Sequence, residues 1–330
     1  MLSPAPLSFS WGQYVGLLIE ERGSLAELVR QLLEVAPASA RLSDDPLTVE
    51  RGLRRLRDRG SAPGEKYGRL LLRCFGLPTP IRDQVRALGQ YHDRLSDLPI
   101  DVRRAQLRLW EGSPICESAL ASWIHLGLGS LAMRDLDLPL VERRLALARL
   151  GIRAAGPEAS LELSLFEARL RSDRNDEAGA EAALAEADAL VAQLPPGDDA
   201  ACYVARILDQ RAYRRARGWR TEPTRLEAAL DLYTSIPADG PPFAGFRRAH
   251  GVAWCRWRQG APGDALEAAD EAVRQAGDGG FVRFRLFALS LRARILDTAG
   301  RDSSRDRARA GALAARLGDP ASALTVPQEV

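Results

Sequence analysis

The chain has 330 residues, 46% of them apolar and 27% charged, with a net charge of +2. This is the balance of a globular protein that buries a core. No run approaches the roughly 18 apolar residues a membrane span requires, and the length suits two domains or one elongated repeat array. Arg outnumbers Lys 45 to one, the single Lys being Lys66. GC-rich coding alone produces such a bias, so the Arg count is no argument for nucleic acid and only its clustering is informative. The four cysteines, Cys74, Cys116, Cys202 and Cys255, form no C-x-x-C pair. They read as buried small apolar residues, not as a zinc site or a redox dithiol.

In chain order, the first 21 residues place no Lys or Arg before a short apolar run. They do not read as a secretory signal, and a cytoplasmic location is expected. "WGQYVGLLIEERG" predicts a first helix. "SLAELVRQLLEVA" predicts a second, with Ser24 as N-cap and Glu27 completing a capping box, and Pro37 ends it. After the loop "PASARLSDDP", "LTVERGLRRLRDRG" predicts a third helix carrying Arg51, Arg54, Arg55, Arg57 and Arg59. "EKYGRLLLRCFGLP" predicts a fourth, closed by Gly76 and Pro78.

Beyond Pro78 a repeat appears. Ala168, Asn175, Ala180, Leu184 and Ala187 fall at offsets 0, 7, 12, 16 and 19, and so do Ala253, Gly260, Ala265, Ala269 and Ala272. The last three of each set share one helix face, where small side chains let two helices approach closely. Asn175 or Gly260 stands at the turn, as residues that tolerate a left-handed backbone. "WIHLGLGSLAMRD" adds Trp123, Leu126 and Gly127, although Pro139 and Arg143 then occupy two of the small-residue offsets. "RALGQYHDRLSD" adds Leu88 and Gly89, and Gly218 and Gly300 mark two further turns.

These motifs resemble the tetratricopeptide repeat family, with its W-x-x-L-G first helix and Ala-rich second helix. Anchors at Gly89, Gly127, Ala168, Arg211, Ala253 and Ala293 are spaced 38 to 43 residues apart, longer than the family's usual 34. The resemblance implies an all-α chain: a right-handed α-solenoid of long hairpins behind a small N-terminal helical domain. The expected division is 1–78 for that domain, 79–320 for five to six hairpins, and 321–330 for a tail.

The N-terminal helices resemble the helix-turn-helix of repeat-containing bacterial regulators. That resemblance implies a third helix in the major groove, with Arg51, Arg54 and Arg55 facing DNA and Thr48 near a phosphate. The ten-residue link before this helix departs from the motif's tight turn. A helical cap with a solvated Arg face is the other reading.

No H-E-x-x-H, G-x-S-x-G, P-loop or G-x-G-x-x-G pattern occurs. His92, His125 and His250 lie far apart on expected repeat helices, and acid pairs such as Asp44–Asp45, Asp176–Glu177 and Asp198–Asp199 read as turn formers or caps. The expectation is a non-enzyme with no metal or cofactor. Residues 157–200 hold eleven acids and three Arg, net −8, whereas 200–260 hold eleven Arg and five acids, net +6. The basic part interleaves aromatics: Tyr203, Arg206, Tyr213, Arg214, Trp219, Arg247, Arg256 and Trp257 form the candidate partner-binding set. Alternatively, the Trp residues pack between helices under Arg stems. The function expected is a bacterial DNA-binding transcriptional regulator whose repeat groove binds a protein or acidic peptide. The alternative is a protein–protein adaptor without DNA contact. A homodimer is compatible with the sequence, and no membrane contact is expected.

Overall fold

The structure, a computed structural model, describes residues 9–37, 40, 42–43, 45–60 and 65–318. Asp44 and the expected tail at 321–330 lie outside the described residues, as do parts of the 37–46 loop and of the turn before Lys66. Among the described residues there are sixteen α-helices and no strand. They are α1 (Trp11–Arg22), α2 (Leu25–Val35), α3 (Pro46–Arg59), α4 (Glu65–Phe75), α5 (Thr79–Gly89), α6 (Ile100–Leu109), α7 (Ala121–Arg134) and α8 (Leu138–Gly151). There follow α9 (Pro157–Asp173), α10 (Glu177–Val191), α11 (Asp198–Ala216), α12 (Thr224–Thr234), α13 (Pro242–Arg258), α14 (Pro262–Asp278), α15 (Val282–Thr298) and α16 (Ser304–Leu317). None is long and apolar enough to cross a membrane.

The chain forms two compact units, and their boundary does not fall at Pro78. One unit comprises Met1–Gln90 and Arg103–Ala155, the other Tyr91–Val102 and Gly156–Val330. In the first unit α5 packs on α7 instead of opening a separate array. A Cβ on Gly89 would lie 2.6 Å from the Trp123 carbonyl oxygen, so the two helices meet at a distance only glycine permits. Arg103 is buried and donates from Nε and an Nη to the Leu88 carbonyl at 3.2 and 2.7 Å, closing the end of α5. Gly89 is thus the last residue of a helix and not a mid-helix repeat anchor. His92 follows it in a turn, where a repeat helix was expected.

The N-terminal helices form where the sequence places them. The full capping box is at Ser10 and Gln13 of α1. At Ser24 only the hydroxyl half forms, because the Glu27 carboxylate turns to Arg30 and Gln31. Val49, Leu53 and Leu56 of α3 are fully buried, and the ten-residue link 36–45 precedes the helix. Of the cysteines, Cys202 and Cys255 are buried as expected, but Cys74 is half-buried and Cys116 is exposed.

The second unit is a helical repeat. α9/α10, α11/α12, α13/α14 and α15/α16 pack as adjacent pairs, and the first helix of each pair touches the first helix of the next. The register is set at the turn by a residue with positive φ. Asn175 (φ 61°) and Gly260 (φ 78°) are each followed at five, nine and twelve positions by Ala180, Leu184 and Ala187, or by Ala265, Ala269 and Ala272. All six are fully buried.

The α7/α8 pair of the first unit obeys the same rule, with Leu136 (φ 58°) as the turn residue and Val141, Leu145 and Ala148 as the buried set. The expected register, with Pro139 and Arg143 inside, was two residues too early. After Gly218 the buried set Leu226, Leu230 and Tyr233 comes three residues later than the rule, and after Gly300 the set beginning Asp306 and Ala310 comes one later. Extra turn residues absorb the difference.

A left-handed backbone costs a Cβ-bearing residue about 1–2 kcal/mol, and Leu136 is 81% exposed, so it recovers nothing by packing. Leu136→Gly is expected to raise stability by about 0.5–1 kcal/mol after the added freedom of the unfolded chain is counted. Urea unfolding measures this, and an unchanged or lower midpoint would count against the strain.

Candidate partner-binding site

The first helices of the second unit present one shared face. α9 contributes Glu162, α11 contributes Tyr203 and Arg206, α13 contributes Phe243 and Arg247, and α15 contributes Arg283 and Phe284. The segment Tyr91–Asp97 of the same unit lies against them. It is an irregular stretch ending in a 3-10 turn over Arg94–Asp97.

Three guanidinium groups surround the Tyr91 ring, with Cζ of Arg283, Arg206 and Arg247 at 4.7, 4.9 and 5.4 Å from its centroid. Cations attract the face of an aromatic ring, most strongly where water is excluded. Arg247 also donates to the Tyr91 hydroxyl at 2.9 Å. Burial pushes the Tyr91 phenol up, but the neighbouring Arg247, Arg283 and Arg206 charges outweigh it, and the net shift is downward. Phe284 and Phe243 flank the ring at 5.7 and 6.4 Å.

Each of the three arginines also has an acid. Arg206 makes a two-point ion pair with the buried Glu162 carboxylate, which accepts a third bond from the Tyr91 backbone N–H at 3.2 Å. Burial raises the Glu162 carboxyl, and Arg206 with its hydrogen bonds overrides this and leaves it below the usual range. Arg247 meets Asp209 at 3.1 Å and Arg283 meets Asp97 at 3.3 Å. Asp97 further accepts from the Arg283 backbone N–H at 3.1 Å, in the first turn of α15.

His92 is buried between Tyr203 and Phe243, with ring centroids 4.7 and 5.5 Å away. Burial, with Arg206 nearby, holds its pKa below the ordinary imidazole value despite Asp199 and Glu162. A neutral ring with Nε2–H toward Asp199 and Nδ1 toward Arg206 satisfies both neighbours.

The expected partner-binding residues thus separate into three places. Tyr203, Arg206 and Arg247 belong to the face just described, and the first two are buried, so they form its floor and not an exposed rim. Arg214 fastens α11 to α10, donating to Glu177 and Glu181 at 2.8 and 2.7 Å, and Tyr213 lies under Arg169. Trp219 and Trp257 converge with Trp254 on Arg258, whose Cζ lies 5.4, 4.0 and 5.8 Å from their rings. Arg256 bonds locally, to Gln259 at 3.3 Å.

In the first unit Arg51, Arg54, Arg55 and Thr48 are all exposed. Arg54 pairs with Glu50 at 2.5 Å, and the Thr48 hydroxyl donates to Asp45, the N-cap of α3, at 2.6 Å. Tyr91 and Asp97 escaped sequence reasoning, and His92 was read only as a residue of an expected repeat helix. The one available signal was that "QYHDRLSDLP" lacks the apolar spacing of a helix and ends in Pro.

Among the described residues no cluster of three or more His, Cys, Asp or Glu side chains is placed to hold a metal. The chain matches neither a protein-family model nor a curated protein. What fold and site define together is an all-helical repeat protein whose first-helix face already holds a length of polypeptide.

Removing one member of a buried ion pair strands the other's charge, at a cost of about 3–5 kcal/mol. Arg206→Ala is expected to destabilise by that order. Adding Glu162→Gln should return at least a third of the loss. Guanidinium unfolding of both variants checks this, and purely additive losses would mean that the two residues do not act as a pair.

Proposed function

We propose that this protein is a non-catalytic regulator whose helical repeat, of tetratricopeptide type, binds a protein segment on the face formed by α9, α11, α13 and α15. The observation that carries the reading is the seating of Tyr91–Asp97, whose ring and carboxylate are gripped by guanidinium groups and a helix N-terminus. Arg with aromatic residues is also the composition of binding hot spots. The charges on this face favour an acidic peptide or an acidic stretch of a folded partner.

The test is selection of displayed random peptides on the immobilised full chain. The selected peptides are expected to be acidic and to carry an aromatic residue, and Arg247→Gln should weaken them tenfold or more. Selected sequences without acidic bias, or indifferent to Arg247, would defeat the reading.

A second reading gives α3 to duplex DNA, as in a helix-turn-helix. It is favoured by the shared exposed face of Arg51, Arg54 and Arg55, opposite the buried Val49, Leu53 and Leu56. The long link before α3 sets it apart from the tight-turn form of the motif. If DNA is bound, each Arg→Ala change that removes a phosphate contact lowers the slope of log affinity against log salt by about one. A purified chain with no salt-sensitive affinity for any duplex would leave only the adaptor function.

A further inference from the structure

The segment Tyr91–Asp97 is held as a bound peptide is held. His92, Ser96 and Asp97 are buried, whereas Leu95 and Leu98 are only half-buried, so its anchors are mainly polar and aromatic. It is also closed on itself, by the Ser96 hydroxyl donating to the Tyr91 carbonyl at 2.9 Å and by Asp93 capping the Leu95 N–H at 2.8 Å. Polar contacts exchanged for equivalent polar contacts change the free energy little, because each partner keeps its hydrogen bonds and its charge. A segment anchored this way is exchangeable for another with the same groups.

The charges say which groups those are. If the segment leaves, Arg206 keeps Glu162 and Arg247 keeps Asp209. Arg283 loses its acid. α15 has no side-chain cap from its N-cap residue and no acid in its first turn, so the carboxylate of Asp97 is what satisfies it. Whatever replaces the segment must bring a carboxylate to that point and a ring to the three guanidinium groups.

Building on the partner-binding reading above, we infer that Tyr91–Asp97 is a built-in occupant of the α9–α11–α13–α15 face, displaced by an acidic partner segment carrying an aromatic residue and, about six residues on, a carboxylate. Being part of the chain, the occupant acts at an effective concentration on the order of millimolar. It therefore raises a competitor's apparent dissociation constant by the ratio of that concentration to the segment's own dissociation constant for the open face. Weak ligands are shut out, and only a partner present above that raised value displaces the segment.

The test uses the full chain and a fluorescent peptide with the sequence of residues 89–99. Tyr91→Ala/Asp97→Ala opens the face. The double variant is expected to bind the peptide at micromolar concentration and the unsubstituted chain at least tenfold more weakly. A peptide with Ala in place of its Tyr should bind neither. Folded double variant that takes up no peptide at 1 mM (roughly the tether's effective concentration) would overturn the inference.

Equal binding to both chains would overturn the occlusion while leaving the repeat as a binding module, which the displayed-peptide selection tests separately. Should the double variant not fold, hydrogen exchange on the unsubstituted chain decides. The Tyr91 and Arg283 amides, both bonded to carboxylates of this site, are expected to exchange by local opening, faster than amides inside α11 and α13. Exchange only with global unfolding would make the segment a fixed part of the core and end the proposal.

Discussion

The repeat unit depends on how closely two helices of a pair can approach. Ala180, Ala187, Ala265, Ala269 and Ala272 are fully buried, and any larger side chain at these positions would push the pair apart. That requirement fixes the rotation of the second helix, and through the turn residue it fixes the register of the first. Counted back from the small anchors, Glu162 lies six residues before Ala168 and Arg247 six before Ala253. The spacing that packs one side of the hairpin thus places charged residues of α9 and α13 at equivalent positions on another.

The buried charges bear on specificity more than on stability. Taking Glu162, Arg206, Arg283 and Asp97 out of water is costly, and the cost is returned best at Glu162, whose carboxylate accepts from two Arg206 nitrogens and from the Tyr91 N–H. Apolar residues of similar volume would hold the helices together as well. What they would not do is demand one particular arrangement of a ring and a carboxylate in the seated segment. Three atoms of the cluster, Nε of Arg247, Nε of Arg283 and Oδ1 of Asp97, remain without a hydrogen bond of good geometry. The cluster is accordingly less completely satisfied than the surrounding helical backbone.

Much of the architecture was legible in the sequence, and the failures have physical causes. Ala, Asn175 and Gly260 announced the α9/α10 and α13/α14 pairs because small faces and left-handed turns demand particular residue types. The α7/α8 register was misread because its left-handed residue is Leu136, a type that gives no such signal. The stretch after Gly89 was read as helix because a glycine after a leucine imitates the repeat motif. Its Gly serves instead the contact of α5 with Trp123. Among the site residues, Tyr203, Arg206 and Arg247 stood out by composition. Their arrangement did not, because it depends on Tyr91 and Asp97, which are far away in sequence and belong to no periodic pattern.

The tryptophans divide in a way that has a spectroscopic consequence. Trp11, Trp110 and Trp123 lie in the first unit and are buried in its core. Trp219, Trp254 and Trp257 lie in the second, partly open to solvent and grouped around the Arg258 guanidinium. Indoles in an apolar core emit toward the blue, and indoles facing water or a charge emit toward the red. The intrinsic fluorescence of this chain is therefore a composite of two populations, each confined to one unit. Without any label, the blue edge of the spectrum reports the integrity of the first unit and the red edge that of the repeat.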